Sequence, residues 1–74
     1  MLFVELININ GDKVFVRPKE IRCAKVEKME SSYYGYFLID NEDFYSTEAF
    51  DTAEDAENFI KHVLIAKDEG GNNL

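Results

Sequence analysis

Only one stretch of this chain carries the apolar spacing of an amphipathic α-helix, and that constrains the fold more than any other feature. Ala53, Ala56, Phe59, Ile60, Val63, Leu64 and Lys67 recur at three- and four-residue intervals, which puts them along one side of a helix. Thr52 or Asp51 can cap its start, and Thr52-Ala53-Glu54-Asp55 resembles a capping box with Asp in the place of Glu. Glu54, Asp55 and Glu57 fall in the first turns while Lys61 and Lys67 lie toward the other end, the order that the helix dipole favours. A single stripe of this kind needs a sheet to cover it, and the preceding residues must supply the strands.

They read as strands. Leu2 to Asn8 and Lys13 to Arg17 are apolar runs separated around Asn10-Gly11, a strong hairpin signal. A two-residue Asn10-Gly11 turn would pair Glu5 with Val16 and set a carboxylate among Ile7, Val14 and Val16. A three-residue loop, Ile9-Asn10-Gly11, instead puts Leu2, Val4, Leu6, Val14 and Val16 on one face. Gly11 then takes the left-handed position that glycine adopts most cheaply. The second register is the expected one.

Pro18 lacks an N–H, so the second strand ends there or Pro18 opens a short helical turn. Between Ile21 and Met29 the apolar residues fit neither period cleanly, and a strand after a bend is the expectation. Tyr34 to Asp40 is aromatic and β-branched, and Asp40-Asn41-Glu42-Asp43 makes a polar turn into Phe44-Tyr45-Ser46-Thr47. Tyr34, Tyr36 and Leu38 alternate with Gly35, Phe37 and Ile39, so this strand carries apolar groups on both faces. Such a strand belongs inside the sheet, or beneath a partner.

The predicted fold is therefore α+β: an antiparallel sheet of four to five short strands with one C-terminal helix packed on one face. A chain of 74 residues has room for one domain, expected over 1–67, with the Gly- and Asn-containing residues 68–74 as a flexible tail. Cys23 is the only cysteine, so no internal disulfide forms and a reducing compartment is implied. No run approaches the ~18 apolar residues of a membrane span, and the start Met1-Leu2-Phe3-Val4-Glu5 has no basic leader. The expected location is the cytoplasm.

Net charge is −7, unevenly spread. Residues 1–30 hold Lys13, Arg17, Lys19, Arg22, Lys25 and Lys28 against five acids, whereas 40–57 hold Asp40, Glu42, Asp43, Glu48, Asp51, Glu54, Asp55 and Glu57 with no Lys or Arg. Polyanions such as nucleic acid or anionic lipid are poor partners for such a surface. The dense aromatic cluster of Tyr33, Tyr34, Tyr36, Phe37, Phe44 and Tyr45 has acidic neighbours, unlike the basic grooves on which bases stack. It suits core packing plus an exposed tyrosine patch for protein contact.

Catalytic and metal constellations find little support. His62 lies beside the helical stripe with no marked nucleophile, and Cys23 reads as a buried or half-buried small hydrophobe. One His and one Cys cannot close a zinc site, and Asp40-Asn41-Glu42-Asp43 lacks the ligand spacing and glycine of a calcium loop. No enzyme activity and no cofactor are expected.

The stretch Val4-Glu5-Leu6 … Asn10-Gly11-Asp12-Lys13 … Val16-Arg17-Pro18 … Ile21, with the helix start Phe50-Asp51-Thr52-Ala53-Glu54-Asp55-Ala56, resembles the small FlbD-like flagellar accessory proteins and similar small phage-encoded proteins. Arg17-Pro18 and Tyr33-Tyr34-Gly35-Tyr36 depart from that pattern. The resemblance implies a compact α+β domain of bacterial or phage type, non-enzymatic and acting through protein contacts.

With one helix, the second face of the sheet stays open, and Ile7, Ile9, Phe15 and some tyrosines are exposed on it. The candidate contact residues are thus Ile7, Phe15, Tyr34 and Tyr36 on that face, and Asp40, Glu42, Asp43, Glu48 and Asp51 in the acidic segment. The expected partner is a protein or a second copy of the chain, giving a homodimer; direct nucleic-acid and membrane binding are not expected. The leading function is a small interaction or regulatory module. The alternative is a phage-type inhibitor that presents its acidic residues 40–57 to a basic nucleic-acid-binding protein.

Overall fold

A computed structural model describes the backbone of residues 3–72 and the side chains of residues 3–68. The elements follow as β1 (Val4–Asn8), β2 (Lys13–Val16), β3 (Cys23–Met29), β4 (Ser32–Ile39), β5 (Glu42–Ser46) and α1 (Ala53–Asn72), with a 3-10 turn at Pro18–Glu20. The strands make one antiparallel sheet ordered β2-β1-β5-β4-β3. The helix crosses one face, against β3, β4 and the 3-10 turn.

The first hairpin adopts the register that keeps Glu5 out of the core. Val4 pairs with Val16 and Leu6 with Val14, which leaves Ile9-Asn10-Gly11 as the loop, with Gly11 at φ +84°. Asn8 fastens it: its N–H donates to the Asp12 carbonyl, and its Oδ1 accepts from the N–H groups of Asn10 and Asp12 at 3.0 and 2.9 Å. Leu2, which this register also assigns to the inner face, lies outside the described residues.

Residues 21–29 divide between a bend and a strand. Ile21 is buried at 1 % exposure in the link from β2 to β3, where its carbonyl accepts from Lys67 Nζ at 2.6 Å. The next N–H, of Arg22, donates to the Leu38 carbonyl at 2.8 Å. Because Ile21 is a core residue of a link and the residues after it form an edge strand, no single period runs through the segment. Pro18 does open a helical turn, but one of only three residues.

Two details differ from expectation. The turn between β4 and β5 is only Asp40-Asn41, both at positive φ (49° and 67°), while Glu42 and Asp43 belong to β5. Two left-handed residues in succession match the twist of the flanking strands, and Asp and Asn tolerate that conformation. The helix also continues past Lys67 through Asn72, so residues 68–72 are helical where a tail was expected; 73 and 74 lie outside the described residues. Thr52 is its cap, its Oγ1 accepting from the Asp55 N–H at 3.1 Å.

The core lies between sheet and helix. Leu6, Ile21, Phe37 and Val63 are essentially inaccessible, with Val4, Ile39, Phe44 and Ile60 around them. Ser46 is the one buried polar side chain among the described residues. Its Oγ accepts from the Gly35 N–H at 3.0 Å and donates to the Glu48 carbonyl at 2.9 Å, so nothing is left unpaired there.

Candidate functional site

Residues directly opposite one another on paired strands share a face, so the strand registers define the sheet's two sides. Phe37, paired with Phe44 and Ala24, and Leu6, paired with Val14 and Ser46, face the helix. On the other side, Lys25 pairs with Tyr36, Tyr36 with Tyr45, Tyr45 with Ile7 and Ile7 with Lys13. One row therefore crosses all five strands: Lys25, Tyr36, Tyr45, Ile7, Lys13. Two residues along, a second row holds Glu27 beside Tyr34 on β3–β4, and Glu5 beside Phe15 on β1–β2.

No element of the described residues covers this face. Phe15 is 66 % exposed and Phe3 51 %, while Ile7, Tyr34, Tyr36 and Tyr45 are half-buried by their neighbours in the sheet. The aromatic centre is ordered internally. Tyr36 and Tyr45 meet edge to face with ring centroids 5.5 Å apart, and the Lys25 ammonium sits 5.1 Å from the Tyr36 centroid. On the flanks, Lys25 lies 3.5 Å from Glu27 and Lys13 lies 3.7 Å from Glu5. These pairs are solvated and contribute little to stability.

The phenol of Tyr36 donates to Asp43 Oδ1 at 2.5 Å. That bond, with lesser contributions from desolvation and from the Asp43 charge, pushes its pKa from 10.0 up to about 12. Tyr45 is also pushed up, first by burial and then by the hydrogen-bonding and charge of Glu27. Because the folded-state value of Tyr36 is raised, the contribution of the Asp43 bond is complete below the ordinary value of 10.0. It is lost as pH climbs through about 12. In Asp43→Ala, Tyr36 is expected to titrate well below its wild-type value, back toward 10.0, followed by the Cζ chemical shift of labelled tyrosine. A wild-type Tyr36 already titrating near that value contradicts the assignment.

The candidate residues separate into two groups. Ile7, Phe15, Tyr34 and Tyr36 come together on the open face, and Asp43 joins them at the edge of the aromatic centre. The acids do not form one face. Asp40 and Glu42 sit at the β4–β5 turn, whereas Glu48 and Asp51 lie at the opposite end of β4, where Phe50 bridges to Tyr33. Six residues of extended chain, ~20 Å, separate those two ends. The sequence run is continuous, but β5 carries the chain from one end of the sheet to the other in the middle of it.

Tyr45, already part of the aromatic cluster, and Lys25, Glu27, Glu5 and Lys13 complete the face, and sequence reasoning does not single out these four charged residues as contact residues. Their signal is local, an acid and a base two residues apart on β3, but its meaning depends on pairings between distant strands. Cys23 is exposed, not buried, because it begins the edge strand β3 on the open side, opposite Leu38. His62 is exposed on the helix, across the sheet from Cys23, so the two are not brought together. Among the described residues, no group of three His, Cys, Asp or Glu side chains is placed to hold a metal ion, and no helix is long and apolar enough to cross a membrane. No protein-family model matches the chain, and comparison with curated proteins and with solved structures gives no match either.

Proposed function

We propose that this chain is a non-catalytic interaction module that binds a protein through the open face of its sheet. The observation that carries the reading is the row from Lys25 to Lys13, an aromatic and aliphatic centre that crosses five strands with nothing among the described residues over it. Tyrosine-rich centres with charged rims are the composition of protein interfaces. The partner surface it suits is apolar at the middle and charged at its margin.

Phe15→Asp tests it. Phe15 is exposed, so the change is expected to leave stability within ~0.5 kcal/mol while placing a charge in the contact. Binding of the purified partner, retained by the wild-type chain through a high-salt wash, should fall by tenfold or more in calorimetry. Equal binding by both proteins overturns the role of the face. The inhibitor alternative predicts the reverse pattern, binding lost in salt and indifferent to Phe15. It must act through one end of the sheet at a time, since Asp40 and Glu42 lie far from Glu48 and Asp51.

A further inference from the structure

We infer that the protein docked on this face is a second copy of the chain, related by a two-fold axis that lies between the sheets and perpendicular to the strands. The inference rests on the docking reading above and adds the partner to it. What points to a second copy is how the charges are distributed between the two rows. The first row bears only cations, Lys25 and Lys13, at its two ends; the second bears only carboxylates, Glu27 and Glu5.

Face-to-face two-fold packing has two aligned choices. An axis parallel to the strands lays each row on its own copy with the strand order reversed, so Lys25 meets the partner's Lys13, while Glu27 and Glu5 lie over the partner's Phe15 and the partner's Tyr34 and find no cation. An axis perpendicular to the strands, passing midway between the rows, lays the first row on the partner's second row. Lys25 then faces the partner's Glu27 and Tyr36 faces the partner's Tyr34, each contact made twice. Lys13 comes over the partner's Phe15, with the partner's Glu5 one strand away. Like charges opposed across an interface cost affinity and opposite charges set its register, so the pattern selects the second arrangement. Aligned sheets pack about 10 Å apart at about −30°, close enough for these side chains to meet.

The size of the face bounds the affinity. Five strands at ~4.8 Å spacing and about three rows of side chains give roughly 400 Å² of plane per copy. Two such faces bury on the order of 1,000 Å², the range of weak and transient interfaces rather than obligate ones. The dimer is therefore a weak one whose population depends on concentration.

Sedimentation velocity on the full chain and two charge variants tests this. Wild type is expected to pass from monomer toward dimer as its concentration rises from ~5 μM to ~500 μM, the range in which weak association is read. Lys25→Glu sets a carboxylate against the partner's Glu27, and Glu27→Lys sets an ammonium against the partner's Lys25; each alone should weaken the dimer at least tenfold. Both side chains are exposed enough to substitute without disturbing the core, which circular dichroism checks. Mixed in equal amounts, the two variants should dimerise with each other, because one then presents two carboxylates and the other two ammoniums. The double variant K25E/E27K should regain self-association. A mixture as monomeric as its components overturns the arrangement. Wild type that stays monomeric throughout overturns the second copy as partner; if Phe15→Asp still abolishes binding of a different protein, the docking reading survives, and if it does not, both fall.

Discussion

Phe37→Ala is expected to remove about 3–5 kcal/mol of stability, the range for deleting a buried aromatic ring. Phe37 is inaccessible at the middle of β4, its ring meets Phe59 of the helix edge-on at a centroid distance of 6.1 Å, and its strand partners are Phe44 and Ala24. It thus joins three strands to the helix. At ~0.05–0.15 kcal/mol per residue, a chain of 74 residues has roughly 4–11 kcal/mol in all. Loss of this one ring should therefore remove a large fraction of that total, and nearly all of it at the lower end of the range. Urea titration followed by circular dichroism reads the effect directly. The control is Phe15→Ala on the opposite face of the sheet, where the ring is largely in water and the change should stay within ~0.5 kcal/mol. Equal losses at the two positions are incompatible with the assignment of faces.

That contrast shows which parts of the structure can be read from the chain. The sorting of β1 and β2 is legible because one register buries Glu5 and the other does not, and Gly11 stands where a left-handed residue is needed. The helix is legible because its stripe is continuous and Thr52 marks its start. The order of the strands is not. β1 pairs with β5, placing Ile7 beside Tyr45, and nothing near either residue records so distant a neighbour. The rows on the open face inherit that difficulty. Lys25 and Glu27 look like ordinary surface charges until β4 and β5 connect them through Tyr36 and Tyr45 to Ile7 and Lys13. The β3–β4 hairpin is hidden for a different reason. Its turn is Glu30-Ser31, with Glu30 at φ 58°, and neither residue advertises a left-handed conformation as glycine or asparagine does.

Gly35→Val is expected to cost about 3 kcal/mol, through overpacking and not through backbone strain. In the sequence Gly35 reads as a weak residue in a strong strand, since glycine has low β propensity and gives up more entropy than other residues on folding. By propensity alone, adding a side chain would stabilise the strand. The structure argues the opposite. A Cβ at this position would stand 3.1 Å from Phe37 Cε2, 3.3 Å from Ile60 Cγ1 and 3.3 Å from Phe59 Cδ2. Those atoms close on it from the strand and from the helix together, and none can retreat freely. Phe37 is inaccessible, Ile60 is buried, and Phe59 is held between Phe37 and Phe50, whose centroids lie 6.1 and 5.6 Å from its own. One methyl forces a shift of a few tenths of an ångström, so Gly35→Ala should lose about 1 kcal/mol. The two γ-methyls of valine have nowhere to go unless α1 moves off β4. That movement would also loosen Ile60 from the core and strain the hydrogen bond from the Gly35 N–H to Ser46 Oγ. The graded series Gly, Ala, Val therefore measures how closely the helix approaches the sheet. Stability that rises with side-chain size along it would mean that the helix stands farther away than these distances place it.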